Sequence, residues 1–503
     1  MSPCRSPRTR ILPVLRERAG AILLAVALLA LPSGQGTAGV PARPQTASPW
    51  PKRLGGPERE AATATAVDED SHSYVLVRFV KETTVGGARF QSAGGSDFLV
   101  VALDVDANVL WAEQIGGPGD DEPYGIALSP AGDLYVTGAF AGTVDFDPGP
   151  GKAELVSAGG SDAFLLRLDR QGAFKWARRL GGAQADAGLR VAATNEAVWV
   201  TGSFQGTVEL PAPPPPAAAG EKAAPPRPGR LASAGRRDAF VARFDPDGTF
   251  RWARQIGGPG EDEGKGVAAG VSGEVWVAGT FEKTPSLGPD GGTLDFTSAG
   301  KSDVFLLRLD ATGRLLWSGR IGGAGADTCE GLTAAAPAGV AVIGEFSLTA
   351  DLDPGPASQS LASQGGTDAF LVRLDGAGRL VWAHQFGETG ADTGIAVAAD
   401  RQGSVYATGL LKRRGAGRGP YDDQAWVAEY SASGQRTWSL GLQASRGLET
   451  RAIAVDPGGV VHVAGSFTGE TAELREAGAA AIKAAGQSDA FVWRLAPVAA
   501  PRH

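Results

Sequence analysis

Apolar residues along this chain fall in short runs separated by Asp- and Gly-rich breaks, and the same order of runs keeps returning. A run such as Gly125-Ile-Ala-Leu128 is followed by an aromatic-led one, as in Tyr135-Val-Thr-Gly-Ala-Phe140 or Trp199-Val-Thr-Gly-Ser-Phe204. Next comes a run opening on Asp-Ala-Phe, at Asp162-Ala-Phe164, Asp238-Ala-Phe240, Asp368-Ala-Phe370 and Asp489-Ala-Phe491. The last run ends at a tryptophan that recurs as Trp50, Trp111, Trp176, Trp252, Trp317, Trp382 and Trp438. Runs this short, bounded by turn residues, predict β-strands. Each copy therefore reads as four strands, a to d. Breaks such as Asp245-Pro-Asp-Gly248 and Asp310-Ala-Thr-Gly313 predict tight hairpins, because glycine tolerates positive φ and aspartate accepts local backbone bonds. In strand c, Phe164, Leu165, Leu166 and Leu168 are apolar on both faces, as befits a strand covered on both sides.

Four strands repeated radially make a propeller. Seven copies can be traced, some degraded, and the chain opens on a strand d and stops after a strand c. The expectation is an all-β, seven-bladed β-propeller of four-stranded antiparallel blades, closed by an N-terminal outer strand joining the last blade. A solenoid would need capping repeats at its ends, and none is visible. Most tryptophans are followed by a glycine pair, as at Gly116-Gly117 and Gly181-Gly182, which decays to Gly387-Glu388 and Gly441-Leu442 in the last two copies.

The stretch Ser157-Ala-Gly-Gly-Ser-Asp-Ala-Phe-Leu-Leu-Arg-Leu-Asp169, followed by Trp176 and Gly181-Gly182, resembles the bacterial SBBP-type β-propeller repeat. Asp145-Phe-Asp-Pro-Gly149 and Asp351-Leu-Asp-Pro-Gly355 fit the same pattern. The resemblance covers essentially everything after the first forty residues. It implies an extracellular or envelope location and brings no catalytic residues with it.

The formal net charge of −8 argues against nucleic acid as a partner, since that affinity depends on clustered Lys and Arg. Arg5, Arg8, Arg10, Arg16 and Arg18 precede an apolar run from Ala21 to Leu31, which predicts a cleaved signal peptide over residues 1–42. That run is too short to span a bilayer, which takes about 20 residues. The expected organisation is then a short tail at 43–48, the propeller at 49–497 and a C-terminal tail at 498–503. The expected product is an exported monomer without a transmembrane span, in the periplasm, at the cell surface or in the medium. Loss of the leader removes Cys4 and leaves Cys329 alone, which excludes an intramolecular disulfide.

A residue repeated in every copy is expected to hold the frame. Asp97, Asp162, Asp238, Asp303, Asp368 and Asp489 precede strand c and are expected to accept bonds in the entering loop. The tryptophans are expected as apolar anchors near blade edges. A second acidic set, Asp121, Asp186, Asp262, Asp327 and Asp392, follows the glycine pairs, with Glu60 in its place in the first copy and Arg446 in the last. These loops should converge near the channel, where a ring of carboxylates offers oxygen ligands to Ca²⁺; the alternative is a repeated turn in which Asp bonds its own backbone. Asp145 and Asp147 are a second Ca²⁺ candidate, though they lack the distal Glu of an EF-type loop. No other cofactor is expected.

Departures from the repeat are the better functional candidates, because the fold does not demand them. One is the Pro- and Ala-rich insertion from Pro211 to Pro228, and another is the basic set Lys412, Arg413, Arg414 and Arg418 in the corresponding loop of the sixth copy. The basic set is a candidate for an anionic ligand, against the reading of a solvated loop. His384 and His462 read as packing variants. The functional expectation is a non-catalytic binding scaffold for an extracellular protein or polysaccharide, ligand unidentified. The alternative is an extracellular propeller enzyme, either a quinoprotein-like oxidoreductase or a polysaccharide-active hydrolase or lyase. No His-Glu-x-x-His or Gly-x-Ser-x-Gly string supports it.

Overall fold

The computed structural model describes residues 45–46, 51–210, 229–288, 294–413, 422–444, 447–468, 473–475 and 482–496. Every element among them is a β-strand, and the named strands pair antiparallel. The chain is an all-β propeller in which five blades consist of four strands consecutive in the sequence. The first comprises Glu60–Val67, Ser73–Val85, Ala88–Leu103 and Val109–Ile115, in meander order from a to d. The others run from Glu122–Leu128 to Phe174–Gly182, from Glu263–Ala269 to Leu315–Gly323, from Thr328–Ala334 to Leu380–Phe386, and from Thr393–Ala399 to Arg436–Ala444.

Two further sheets are put together less directly. Ala187–Ala193, Val198–Phe204, Asp238–Phe244 and Phe250–Ile256 form one of four strands, interrupted by a small hairpin of Thr207–Glu209 and Arg230–Ala232. In the other, Leu448–Val455, Val461–Thr468 and Ser488–Ala496 lie side by side. Lys52–Leu54, from far up the chain, adds to its outer side with Lys52 opposite Val492 and Leu54 opposite Ala490. The a strands touch one another in turn, and Leu448–Val455 touches Glu60–Val67.

Each a–b pair shifts register once, for example between Pro123 and Gly125 and between Gly188 and Arg190. A bulge at a fixed place raises the local twist, which the blades need to fan around an axis. Strand c is buried on both faces: Phe164, Leu165, Leu166 and Leu168 are all fully covered. The core therefore lies between blades. One apolar cluster joins Leu76 and Phe98 of the first blade to Phe140 and Phe164 of the second, and the rings of Phe98 and Phe164 stack at 5.7 Å. Another joins Val75 and Val77 to Ala490 and Val492. Each such Phe, Leu or Val contributes about 1.5–3 kcal/mol on burial, and that gain exists only when two sheets meet.

Of the expected features, Trp50, the segment 211–228, Arg414 and Arg418 lie outside the described residues, as do residues 1–44 and 497–503.

Candidate functional site

Three contacts repeat at the junctions between neighbouring sheets, and together they account for most of the repeated residues. In the first, a tryptophan on strand d reaches the c–d turn of the next blade. The indole Nε1–H groups of Trp111, Trp176, Trp252 and Trp382 donate to the carbonyls of Arg170, Pro246, Ala311 and Ala432 at 2.8–3.1 Å. The turn glycine lies against the ring: a Cβ on Gly248 would fall 2.8 Å from Trp176, and its φ of 81° also disfavours a side chain.

In the second contact, the glycine pair lies between its own blade and the next. A Cβ on Gly116 would fall 2.2 Å from the carboxyl carbon of Asp97 in its own blade, and one on Gly117 would fall 2.4 Å from the Thr143 carbonyl of the next. Gly181 and Gly182 pair with Glu209 and Val208, and Gly322 and Gly323 with Asp351 and Ala350. In the third, the first glycine of each Gly-Gly-Ser-Asp-type run approaches the following d–a loop, as Gly94 does to Pro118 and Gly159 to Ala183.

The two acidic sets sit in these junctions. Asp97, Asp162, Asp238, Asp303, Asp368 and Asp489 are fully buried. Each accepts the backbone N–H four residues earlier, from Ala93, Ala158, Ala234, Ala299, Gln364 and Ala485. Each also meets a polar side chain of strand d: Gln114, Arg179, Gln255, Arg320, Gln385 or Arg53.

In the second set, Asp121, Asp186, Asp262, Asp327 and Asp392 accept the N–H groups of Gly117, Gly182, Gly258, Gly323 and Glu388 at 2.6–2.8 Å. Their other oxygens accept from Ala141, Gln205, Glu282, Ser347 and Lys412 at 2.7–3.3 Å. The structure thus places these five carboxylates one to a junction, each turned onto local backbone donors. Burial pushes Asp121 and Asp262 up to about 7 and Asp186 and Asp327 up to about 6. The backbone donors oppose that rise, and the neighbouring strand-c aspartate adds to it.

Asp145 and Asp147 lie at the tip of a b–c hairpin. Asp145 Oδ1 accepts from Asp147 and Ala153, and Asp147 Oδ1 from Gly149; Asp351 and Asp353 repeat the arrangement. Lys412 and Arg413 end the strand Val405–Arg413, opposite Asp423 and Asp422.

Sequence reasoning missed two cavities, each lined from six separate stretches that share no motif. A cavity of about 310 Å³ opens among the a–b turns, with an apolar floor that includes Val67, Leu128, Ala193, Ala399 and Val455. Its rim is cross-linked by ion pairs, Arg401 to Glu69 at 2.6 Å and Arg170 to Asp68 and Asp70 at 3.1 and 3.2 Å. Asp68, Asp70 and His72 bring possible metal-ligating atoms within 4.8 Å of one another, but the Arg170 guanidinium already lies on both carboxylates.

Deeper in, a second cavity of about 150 Å³ is ringed by a strands. Arg190 crosses toward the opposite side there and donates to the Glu330 carbonyl at 3.2 Å, while Lys265 pairs with the Glu330 carboxylate at 2.8 Å.

Ser73, His462 and Asp456 also fall into line across the seam between the last sheet and the first blade. Ser73 Oγ meets His462 Nδ1 at 2.8 Å, and His462 Nε2 lies 4.0 Å from Asp456. The order matches a hydrolytic triad. Yet Ser73 and His462 are 0% exposed, so no acyl group reaches the hydroxyl in this conformation. Burial also holds His462 below its ordinary value, against the pull of Asp456. The His384 ring lies tilted by 33° against Tyr430 at 4.6 Å and meets the Gly434 carbonyl at 2.7 Å.

Comparison with known proteins bears on the repeat. An uncharacterised WD repeat-containing protein of Acanthamoeba polyphaga mimivirus is 22% identical over 201 residues, which is 35% of this chain and 14% of that protein. Among solved structures, the WD40 domain of Neurospora crassa Pan2 is 10% identical with a TM-score of 0.34, over 76% of this chain and 90% of that one. The exotype rhamnogalacturonan lyase YesX aligns at 11% identity and a TM-score of 0.19, over 88% of this chain and 91% of that one. Residues 110–139 match the β-propeller repeat SBBP, a stretch that takes in Trp111, Gly116-Gly117, Asp121 and Tyr135. With the fold and the junction geometry on either side of that stretch, the chain is a β-propeller carrying the SBBP repeat.

Proposed function

We propose that this protein is an exported, non-catalytic binding scaffold: a closed ring of seven blades that presents divergent loops to an extracellular protein or polysaccharide. Seven is the count obtained when the two less direct sheets stand as blades beside the five consecutive ones, with Lys52–Leu54 as the outer strand of the last. The order of contacts among the a strands supports a ring.

The observation that carries the functional reading is the stem of the insertion. Thr207–Glu209 and Arg230–Ala232 pair with each other, Leu210 N–H donates to the Gly229 carbonyl at 2.8 Å, and the stem is fastened to Gly181-Gly182 of the preceding blade. Segment 211–228 is thus delivered from a fixed base, while the repeated side chains are spent on holding the frame. Rigid frames that carry variable loops are common binding architecture. The basic loop of the sixth copy is the second contact, and the strand-c aspartates and tryptophans are read as structural.

The test is a pull-down of envelope and secreted fractions with residues 43–503, beside a variant lacking 211–228 and carrying Ser at Lys412, Arg413, Arg414 and Arg418. A partner held by the intact chain and lost by the folded variant is expected. Equal capture by both would overturn the assignment to these loops.

A further inference from the structure

At five junctions the acidic residue after the glycine pair is an aspartate whose two oxygens are met by backbone N–H groups. At the sixth it is Glu60, one methylene longer, where the last sheet meets the first blade. Glu60 is 1% exposed, and its carboxyl has the Gly56 N–H, the Thr83 hydroxyl and the Asp489 carboxyl as neighbours. Asp489 Oδ1 and Arg53 Nη1 are buried without a hydrogen-bond partner of their own. Gly55 lies between the two carboxyls: a Cβ there would sit 2.4 Å from Asp489 Oδ1 and 3.0 Å from Glu60 Oε2. Glu60 keeps the Gly56 N–H, the counterpart of the donor its shorter relatives use, and also faces Asp489.

Charge counting says what this cluster needs. Arg53, its side chain 36% exposed, lies 3.7 Å from Asp489, so one part-exposed guanidinium stands against two buried carboxylates and the local sum is −1. A single proton brings it to zero, whereas a divalent cation would leave +1. The remaining charged groups nearby are engaged elsewhere: Lys81 pairs with Glu58 at 3.2 Å, and Arg59 donates to Gln487 at 3.0 Å.

We propose that Glu60 and Asp489 share one proton, and that this proton fastens the strand Lys52–Leu54 to the last sheet as a pH-operated latch. The strand makes three residue pairs with Ala490–Val492, Leu54 is buried in the apolar cluster, and Glu58 and Arg59 continue the contact to Gln487 and Ser488. The inference rests on the carboxyl cluster beside that pairing and stands apart from any partner or loop.

Burial, reinforced by the charge of Asp489, pushes Glu60 up to about 8. An opened clasp returns it to the ordinary value of 4.5. The closed state therefore binds more protons between those limits, so attachment weakens as pH rises from about 4.5 to about 8 and is level beyond. Between pH 5 and pH 7 the opening constant should rise by roughly fifty- to a hundredfold.

The experiment is hydrogen exchange of the amides in 52–54 and 490–492, normalised to intrinsic rates at each pH. It is run on the wild-type chain, Glu60→Gln and Asp489→Asn. Wild type should lose protection over this range, while each variant should change less than about tenfold. A parallel pH slope in wild type and both variants would overturn the proposal. So would restoration of wild-type protection at pH 7 by millimolar Ca²⁺, which would assign the cluster to a cation instead. Because this readout is local and needs no ligand, its failure is distinct from failure of the binding assignment.

Discussion

Gly182→Ala tests the junction geometry most directly. An added Cβ would fall 1.9 Å from the Thr207 carbonyl oxygen, where ordinary contact begins at 3.4 Å. The obstructing atom is backbone, so it cannot rotate away, and the stem or the glycine loop must move by more than an ångström. Such a shift breaks the pairing of Gly181 with Glu209 and of Gly182 with Val208. Overpacking costs about 1–3 kcal/mol, and the lost backbone bonds cost about 1 kcal/mol each. The more restricted unfolded chain returns about 0.4–1 kcal/mol. The net expectation is a loss of roughly 2–4 kcal/mol, read as a lower urea midpoint at unchanged slope. Gly160→Ala is the control, since its nearest atom would lie at 3.4 Å, and its midpoint should barely move. Equal midpoints for the two variants would refute the claim that the glycine pairs exist to let the next blade approach.

Other expectations follow from the same junctions. Asp186→Ala leaves the buried N–H groups of Gly182 and Gln205 unmet and should cost about 2–4 kcal/mol; a midpoint within 0.5 kcal/mol of wild type would refute the pairing. Asp121, Asp186, Asp262 and Asp327 all have folded values above the ordinary 3.8. Their contribution is therefore fully present below about pH 4 and lost as pH climbs through 6 to 7. The melting temperature should be higher at pH 5 than at pH 8, and the reverse order would contradict this sign. Burial pushes the Cys329 thiol up to about 12, so it should resist a thiol reagent in the native protein and react once urea unfolds it.

The four-strand copy was legible in the sequence because turn residues and tryptophan recur in step, so local pattern and tertiary need coincide. The role of the glycine pair was not: nothing near Gly117 announces that the obstacle is Thr143, one blade on. The acidic residues after the pairs were picked out by recurrence, but recurrence says nothing of direction, so a ring of carboxylates and a turn in which each Asp bonds its own backbone were both open. The backbone donors match the turn, one to a junction. Ser73 and His462 are 389 positions apart, and the cavity among the a–b turns draws on residues from Val67 to Pro457. Neither shows any local signal. Glu60 was visible as one of two exceptions in its column, with Arg446; what Glu60 faces required the three-dimensional structure.

The glycine-on-tryptophan and aspartate-on-amide contacts have a consequence for how such a chain can change. Each joint is built half from one blade and half from the next, and the halves are nearly alike at most of the described junctions. Blades are therefore interchangeable parts: a copy duplicated in the gene meets on either flank the fittings it already carries, and only curvature must be renegotiated. The same likeness leaves most joints without a chemical label of order, the Glu60 seam excepted. Which blade sits beside which is therefore decided largely by covalent connection, and a second chain could offer such joints a similar mate.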